Sequence, residues 1–284
     1  MATFQNQATL TYNGGTANSN IVTGEIVEVL SAAKTALGGT YSVGETVTYV
    51  ISIVNTGAIP YTGLVVTDDL GAYAVGEATA VPLSYVAGSL LYYADGVLQP
   101  TPTVEAGPPL TVAGISVPAN GNAVLVYEAA VTQAAPPVAG GTVTNRVEIT
   151  GGGLSSPVTA EETVTADESA ALVITKSLSP TTVVENGQIT YTFVISNTGN
   201  TAAVATDDLV LTDTFDPVLS DITVTLNGAV LTEGADYNYD GTTGLFTTVP
   251  GRITVPAASY AQDPVSGEWT VTPGTAELRV VGTV

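Results

Sequence analysis

The sequence predicts an all-β chain: two tandem β-sandwiches, the second lacking its last strand, preceded by an N-terminal strand that belongs to neither. Three observations predict it. β-branched residues alternate with polar ones in short runs bounded by Gly, Pro and Asn, the pattern of half-buried sandwich strands. No amphipathic helical window exceeds about two turns. A set of segments also occurs twice at matching spacing, which marks an internal repeat.

The repeat is read directly. Unit one carries AAKTAL at 32–37, TYVISIVNTG at 48–57 and VVTDDL at 65–70, while unit two carries ITKSL at 174–178, TYTFVISNTG at 190–199 and VLTDTF at 210–215. Lys34 to Tyr49 and Lys176 to Tyr191 both span 15 residues. Unit one continues through NAVLVYEAAVT at 122–132 to TVTNRVEIT at 142–150. Unit two reaches a counterpart of the former at TAELRVVGTV, 275–284, and nothing in it matches the latter. TFQNQATLT at 3–11 aligns with TVTNRVEIT without a gap, placing Asn6 on Asn145. The units are therefore read as 26–152 and 168–284, with linkers over 13–25 and 153–167 and a donor strand over 1–12.

A sandwich short of one strand exposes unpaired backbone groups and bare core, an edge that invites strand addition. The expected partner is a second copy of this chain. A head-to-tail contact that does not close on itself produces a homopolymeric filament.

Strand alternation assigns side chains to faces. In the donor strand Phe4, Asn6, Ala8 and Leu10 share one face, so Asn6 lies on the apolar side. Asn145 is inward by the same parity, with Val143, Val147 and Ile149. Lys34 shares a face with Leu30 and Ala32, and Lys176 with Leu172 and Ile174. Asp68 shares one with Leu64, Val66 and Leu70, and Asp213 with Leu209, Leu211 and Phe215. Each interior thus receives a Lys, an Asp and an Asn, and these are the only lysines in the chain. Asp69 points outward by parity and reads as a solvated turn residue.

Burial drives a lysine to lose its proton and an aspartate to gain one. A neutral amine is a nucleophile, an Asn carboxamide polarised by a protonated Asp is an electrophile, and Asp can shuttle the protons. The expected products are amide bonds, within the chain between Lys34 and Asn145 and between subunits from Lys176 to Asn6, with Asp68 and Asp213 assisting. The alternative is a buried Lys–Asp ion pair capped by Asn. Either way there is no turnover, so the chain is not read as an enzyme.

Composition supports a structural role. The 284 residues, 45% hydrophobic, suffice for two cores. Without Cys there are no disulfides, and without His the commonest general base and metal ligand is missing. A net charge of −21 disfavours nucleic acid and anionic membranes as partners. No apolar run is long enough to insert into a membrane. The first residues lack the basic and apolar regions of a secretion signal, so the expectation is either a signal removed beforehand or assembly inside a cell that later lyses. Asp236, Asn238, Asp240 and Gly241 begin like a calcium loop, but the twelfth position is Thr247 and no helix flanks it, which favours a hairpin. Weak calcium binding by the acidic surface is left open. No cofactor or metal site is expected. Asp207 and Asp208 occupy a polar loop without a recognisable cleft.

The Lys-bearing strand ITKSLSP, the segment YTFVISNTGN, LTDTF and the Asn-bearing strand VTNRVEIT resemble the conserved repeat domain of bacterial surface proteins, the family numbered eleven among the domains of unknown function. The resemblance implies immunoglobulin-like sandwiches in an extracellular stalk, adhesin, or cell- or spore-surface appendage. Related surface domains carry Lys–Asn isopeptide bonds assisted by a buried acid, which by position implies the two pairs named above. The alternative from another class is a binding or spacer module, two repeats of a surface adhesin with intramolecular crosslinks only. A catalytic protein ranks last.

Overall fold

A computed structural model describes residues 2–284, in two compact units. The chain is all-β: among the described residues the only helical element is a 3-10 turn at Ala205–Asp207. Among the described residues no helix is long and apolar enough to cross a membrane.

Unit one is a sandwich of two six-stranded sheets. The lysine strand, Leu30–Ala36, pairs with Thr46–Asn55, which pairs with Asn122–Val131 and then Leu91–Ala94. Facing it, the aspartate strand, Tyr61–Asp68, has neighbours on both sides, Leu110–Val117 and the asparagine strand Thr142–Gly151. Asp68 sits opposite Val147. The asparagine strand then pairs with a return strand, Val158–Ala166, whose outer edge takes the short Thr40–Tyr41 strand. Alternation is strict where both faces matter. Val47, Tyr49, Ile51 and Ile53 are buried from one strand, and Val143, Asn145, Val147 and Ile149 from another.

The return strand corrects the sequence reading, which assigned 153–167 to a linker. Its inward residues are Val158, Ala160, Glu162, Val164 and Ala166, and the two central Glu residues masked the alternation.

Unit two repeats the design with fewer strands. Leu172–Ser179, Gln188–Asn197, Gly274–Thr283, Ser220–Leu226 and Ala229–Val230 form a five-stranded sheet. The opposing sheet has three strands, in the order Thr212–Thr214, Leu245–Thr248, Tyr237–Tyr239. Its core stacks Tyr191 on Phe215 at 4.8 Å and sets Phe246 against Phe215 and Tyr237 at 5.8 and 5.4 Å. The aspartate strand Thr212–Thr214 is the edge of its sheet, paired on one side only.

Residues 2–26 form a separate antiparallel arm. Ala2–Asn6 pairs with Val22–Ile26, and Thr9–Tyr12 with Gly15–Asn18. The ladder runs on between them, because Ser19 N donates to Ala8 O at 2.9 Å and Ala8 N to Ser19 Oγ at 2.9 Å. Gly14, at φ 127, makes the reversal. Here too the reading is corrected. The expected single strand over 1–12 is two strands, the expected linker over 13–25 is its hairpin partner, and Met1 lies outside the described residues.

Phe246 is fully buried at the centre of unit two. Phe246→Ala is expected to cost about 3–5 kcal/mol. Urea unfolding followed by the fluorescence of Trp269, the single tryptophan of the chain, measures it.

Candidate functional site

In unit one the two sheets bring Lys34, Asp68, Tyr127 and Asn145 together in the core. Each is on the inward parity of its strand, and all four are buried. Lys34 Nζ donates to Asp68 Oδ2 at 2.5 Å, and Tyr127 Oη donates to the same oxygen at 2.5 Å. Asn145 Nδ2 donates to Tyr127 Oη at 3.0 Å. The other carboxylate oxygen, Oδ1, accepts from Leu70 N at 3.0 Å. That bond needs the chain to turn back at once after Asp68, and Leu70 supplies the turn at φ 55. Asp68 is thus held by a backbone donor and two side-chain donors.

Lys34 Nζ lies 4.9 Å from the centre of the Tyr49 ring and 5.8 Å from that of Tyr127. Burial holds the Lys34 amine below its ordinary range, against the opposing pull of Asp68. Burial also pushes the Tyr49 and Tyr127 hydroxyls up, reinforced by the Asp68 charge. Tyr49 Oη and Asn145 Oδ1 meet no partner of hydrogen-bond geometry among the described residues. Tyr127 escaped the sequence reading. A tyrosine inward on a core strand with Ala123, Leu125 and Ala129 requires a buried partner for its hydroxyl, but the sequence does not say which. Asp69 behaves as a turn residue, accepting from Gly71 N and Arg146 N.

Unit two pairs Lys176 with Asp213, and Asp213 Oδ1 accepts from Thr214 N at 2.9 Å. Lys176 Nζ lies 4.5 Å from the centre of the Tyr191 ring. The setting differs from unit one in two ways. Val280 pairs with Tyr191 where Tyr127 pairs with Tyr49, so this site has no relay hydroxyl. It is also open. The Lys and Asp side chains are 0% and 1% exposed in unit one but 42% and 19% in unit two. Beside them lies an apolar groove of about 190 Å³ lined by Leu172, Ile174, Leu209, Leu211 and Ile253.

The structure does not bring Asn6 to Lys176. Asn6 stands opposite Val22 in the arm and is exposed. Phe4 and Leu10 are 54% and 67% exposed, and Ala8 is exposed as well. The Phe4 ring lies over Gly24, where a Cβ would come within 2.3 Å of it. The calcium-like segment is a hairpin. Asp240 receives Thr242 N and the Thr243 hydroxyl in the turn, and Asp236 binds Arg252 at 2.9 Å. No cluster of acidic side chains that could hold a metal occurs among the described residues.

No protein-family model and no curated protein matches the chain. Solved structures with a similar arrangement of strands include the major pilin subunit of Bacillus cereus, at 12% identity and TM-score 0.39, over 96% of this chain and 73% of that one. A fragment of the major pilin of Streptococcus agalactiae aligns at 10% identity and TM-score 0.36, over 87% and 91%. The collagen-binding subdomain of an Enterococcus faecalis surface protein aligns at 9% identity and TM-score 0.30, over 51% and 100%. At these levels the likeness is silent on function.

A lysine whose folded pKa lies below its unfolded value of 10.5 leaves the unfolded state with the extra proton between the two values, so stability rises with pH across that window. The raised tyrosines act oppositely above their ordinary 10.0 and close the window there. In Asn145→Ala, the urea midpoint of unit one is expected to climb from neutral pH toward pH 10. Adding Lys34→Met is expected to flatten the profile. A flat profile in Asn145→Ala alone overturns the depressed lysine.

Proposed function

We propose that this protein is the subunit of a bacterial surface filament, in which the N-terminal strand of one copy completes unit two of the next and Lys–Asn amide bonds seal both sites. One observation carries the reading: side chains that are buried in unit one are uncovered at the matching positions of unit two. Leu30 is buried, but its counterpart Leu172 is exposed. Asp68 has strands on both sides of it, whereas Asp213 stands at an edge.

The N-terminal strand carries side chains suited to the gap. In the unit-one register Asn145 precedes Val147, opposite Asp68, and Ile149, opposite Val66. Aligning Asn6 with Asn145 sets Ala8 opposite Asp213 and Leu10 opposite Leu211, at the mouth of the groove. Asn6 then takes, beside Lys176 and Asp213, the place that Asn145 has in the cluster of Lys34 and Asp68. Filling the groove removes apolar surface from water and pairs the open backbone edge, the two gains of strand complementation.

The unit-one cluster supports the seal. Lys34 passes a proton to Asp68, and its neutral amine attacks Cγ of Asn145. As the new C–N bond forms the amine nitrogen gives up a second proton, the Cγ–Nδ2 bond breaks, one proton passes through Tyr127 to the leaving nitrogen, ammonia departs, and Asp68 is left protonated. Folding supplies the proximity, worth effective molarities of up to about 10⁵–10⁸ M in such arrangements. At Lys176 the same step has Asp213 and no counterpart of Tyr127, and burial of that lysine waits on the incoming strand. The order of events is therefore docking first and bonding second, which keeps the free subunit unreacted at the joint.

Boiled protein on denaturing electrophoresis is expected to run as a ladder, and Asn6→Ala to run as monomer while non-covalent filaments persist in electron micrographs. Deletion of residues 1–12 is expected to abolish both. Intact mass of that truncated chain is expected to fall short of the sequence mass by one ammonia, and Lys34→Met to restore it. Polymers that still form without residues 1–12 overturn the joint. A full sequence mass leaves Lys34 and Asp68 as a plain ion pair.

A further inference from the structure

We infer that the piece docking into unit two is the whole hairpin of residues 2–26 from a second copy, not one strand. This rests on the filament reading above and names the second half of its joint.

In unit one the asparagine strand never stands alone. It is paired along its length with the return strand, from Thr142 opposite Thr165 to Ile149 opposite Val158. The return strand is closed off in turn, where Thr165 N donates to Gly39 O at 3.0 Å beside Thr40–Tyr41. Tyr41 is 3% exposed as a result.

Unit two has both positions open. Thr182 follows Lys176 by six residues, as Thr40 follows Lys34, so Val183 is the counterpart of Tyr41. Val183 is 38% exposed, and residues 182–183 form no strand. A single donor strand would cover the groove beside Lys176 and leave this second stretch bare. It would also move the open edge outward by one strand without removing it.

The arm matches the two-strand gap in register. Asn145 faces Glu162, and Asn6 faces Val22. Two residues back along the first strand, Val143 faces Val164, and Phe4 faces Gly24. Paired residues share a face, so Phe4, Val22 and Ile26 lie on the Asn6 side of the ribbon. Val22 and Ile26 are exposed there together with Phe4. A two-stranded ribbon with one apolar face is at best marginally stable in water and gains stability by laying that face on another surface. Where unit one sets the half-buried Glu162, whose charge acts on Lys34, the arm offers Val22, an apolar cover for the second lysine. Docked in this way, Glu25 takes the place of Thr165, and its N–H meets the carbonyl of Thr181.

The chain has no cysteine, so an engineered pair reports contact without background. In an Asn6→Ala background, which lacks the covalent seal, Glu25→Cys with Thr181→Cys is expected to give disulfide-linked multimers on mild oxidation, and neither single variant to do so. In the otherwise unaltered chain, Val22→Arg with Ile26→Arg is expected to slow ladder formation about tenfold or more, since docking would bury two unpaired charges. Both positions are exposed in the arm, so the free subunit retains its fold. Ladders that need Asn6 but form at the normal rate in the arginine variant, with no disulfide in the double-cysteine variant, overturn the hairpin and leave the single donor strand standing. Absence of any Asn6-dependent ladder in the unaltered chain overturns both readings.

Discussion

A sheet edge lined by inward-facing apolar and charged side chains has to be covered, and this constraint organises the chain. Backbone N–H and C=O groups left without partners, and apolar surface left in water, each cost free energy that a neighbouring strand removes. Unit one meets the requirement internally by running on through two further strands after Asn122–Val131. Unit two leaves the edge at Thr212–Thr214 open, and the arm of residues 2–26 carries an apolar face that nothing in its own ladder covers.

The polar cluster in unit one sharpens the constraint. Moving a lysine and an aspartate out of water costs several kcal/mol per ion unless attraction and hydrogen bonds offset it. Asp68 is satisfied by three donors, and Lys34 is left between two aromatic rings with its charge disfavoured. Such a group is poised for chemistry, because the proton it gives up is the one that stops it acting as a nucleophile. The unit-two pair has the same two residues in contact with water. The crosslink proposed for unit one would depend on folding alone, and the one proposed for unit two on folding plus assembly.

Much of this was legible from the residues. Period-two alternation, turn residues and the twofold repetition specify strands, sandwiches and two units, because a pleated strand leaves each side chain only two faces to choose between. The same parity places Lys34, Asp68 and Asn145 inward before any coordinate is known. Three features were not legible. The return strand Val158–Ala166 carries adjacent glutamates that blur its alternation. The Val22–Ile26 strand follows a segment rich in Gly, Ser and Asn that reads as a linker. Tyr127 looks like any core aromatic, since the distance from its hydroxyl to Asp68 depends on how two sheets are stacked.

The division has a physical basis. The sequence by itself determined what is local or periodic: strand identity, the face of each side chain, the absence of disulfides, and the recurrence of one plan with a piece displaced to the front. Tertiary structure decided what depends on separations through space: that Lys34 and Tyr127 share one carboxylate oxygen, that Lys176 is left in water, and that the N-terminal residues are folded as a ribbon of two strands. Those outcomes turn on which strand lies beside which, and pairing between strands far apart in sequence is set by the packing of whole sheets.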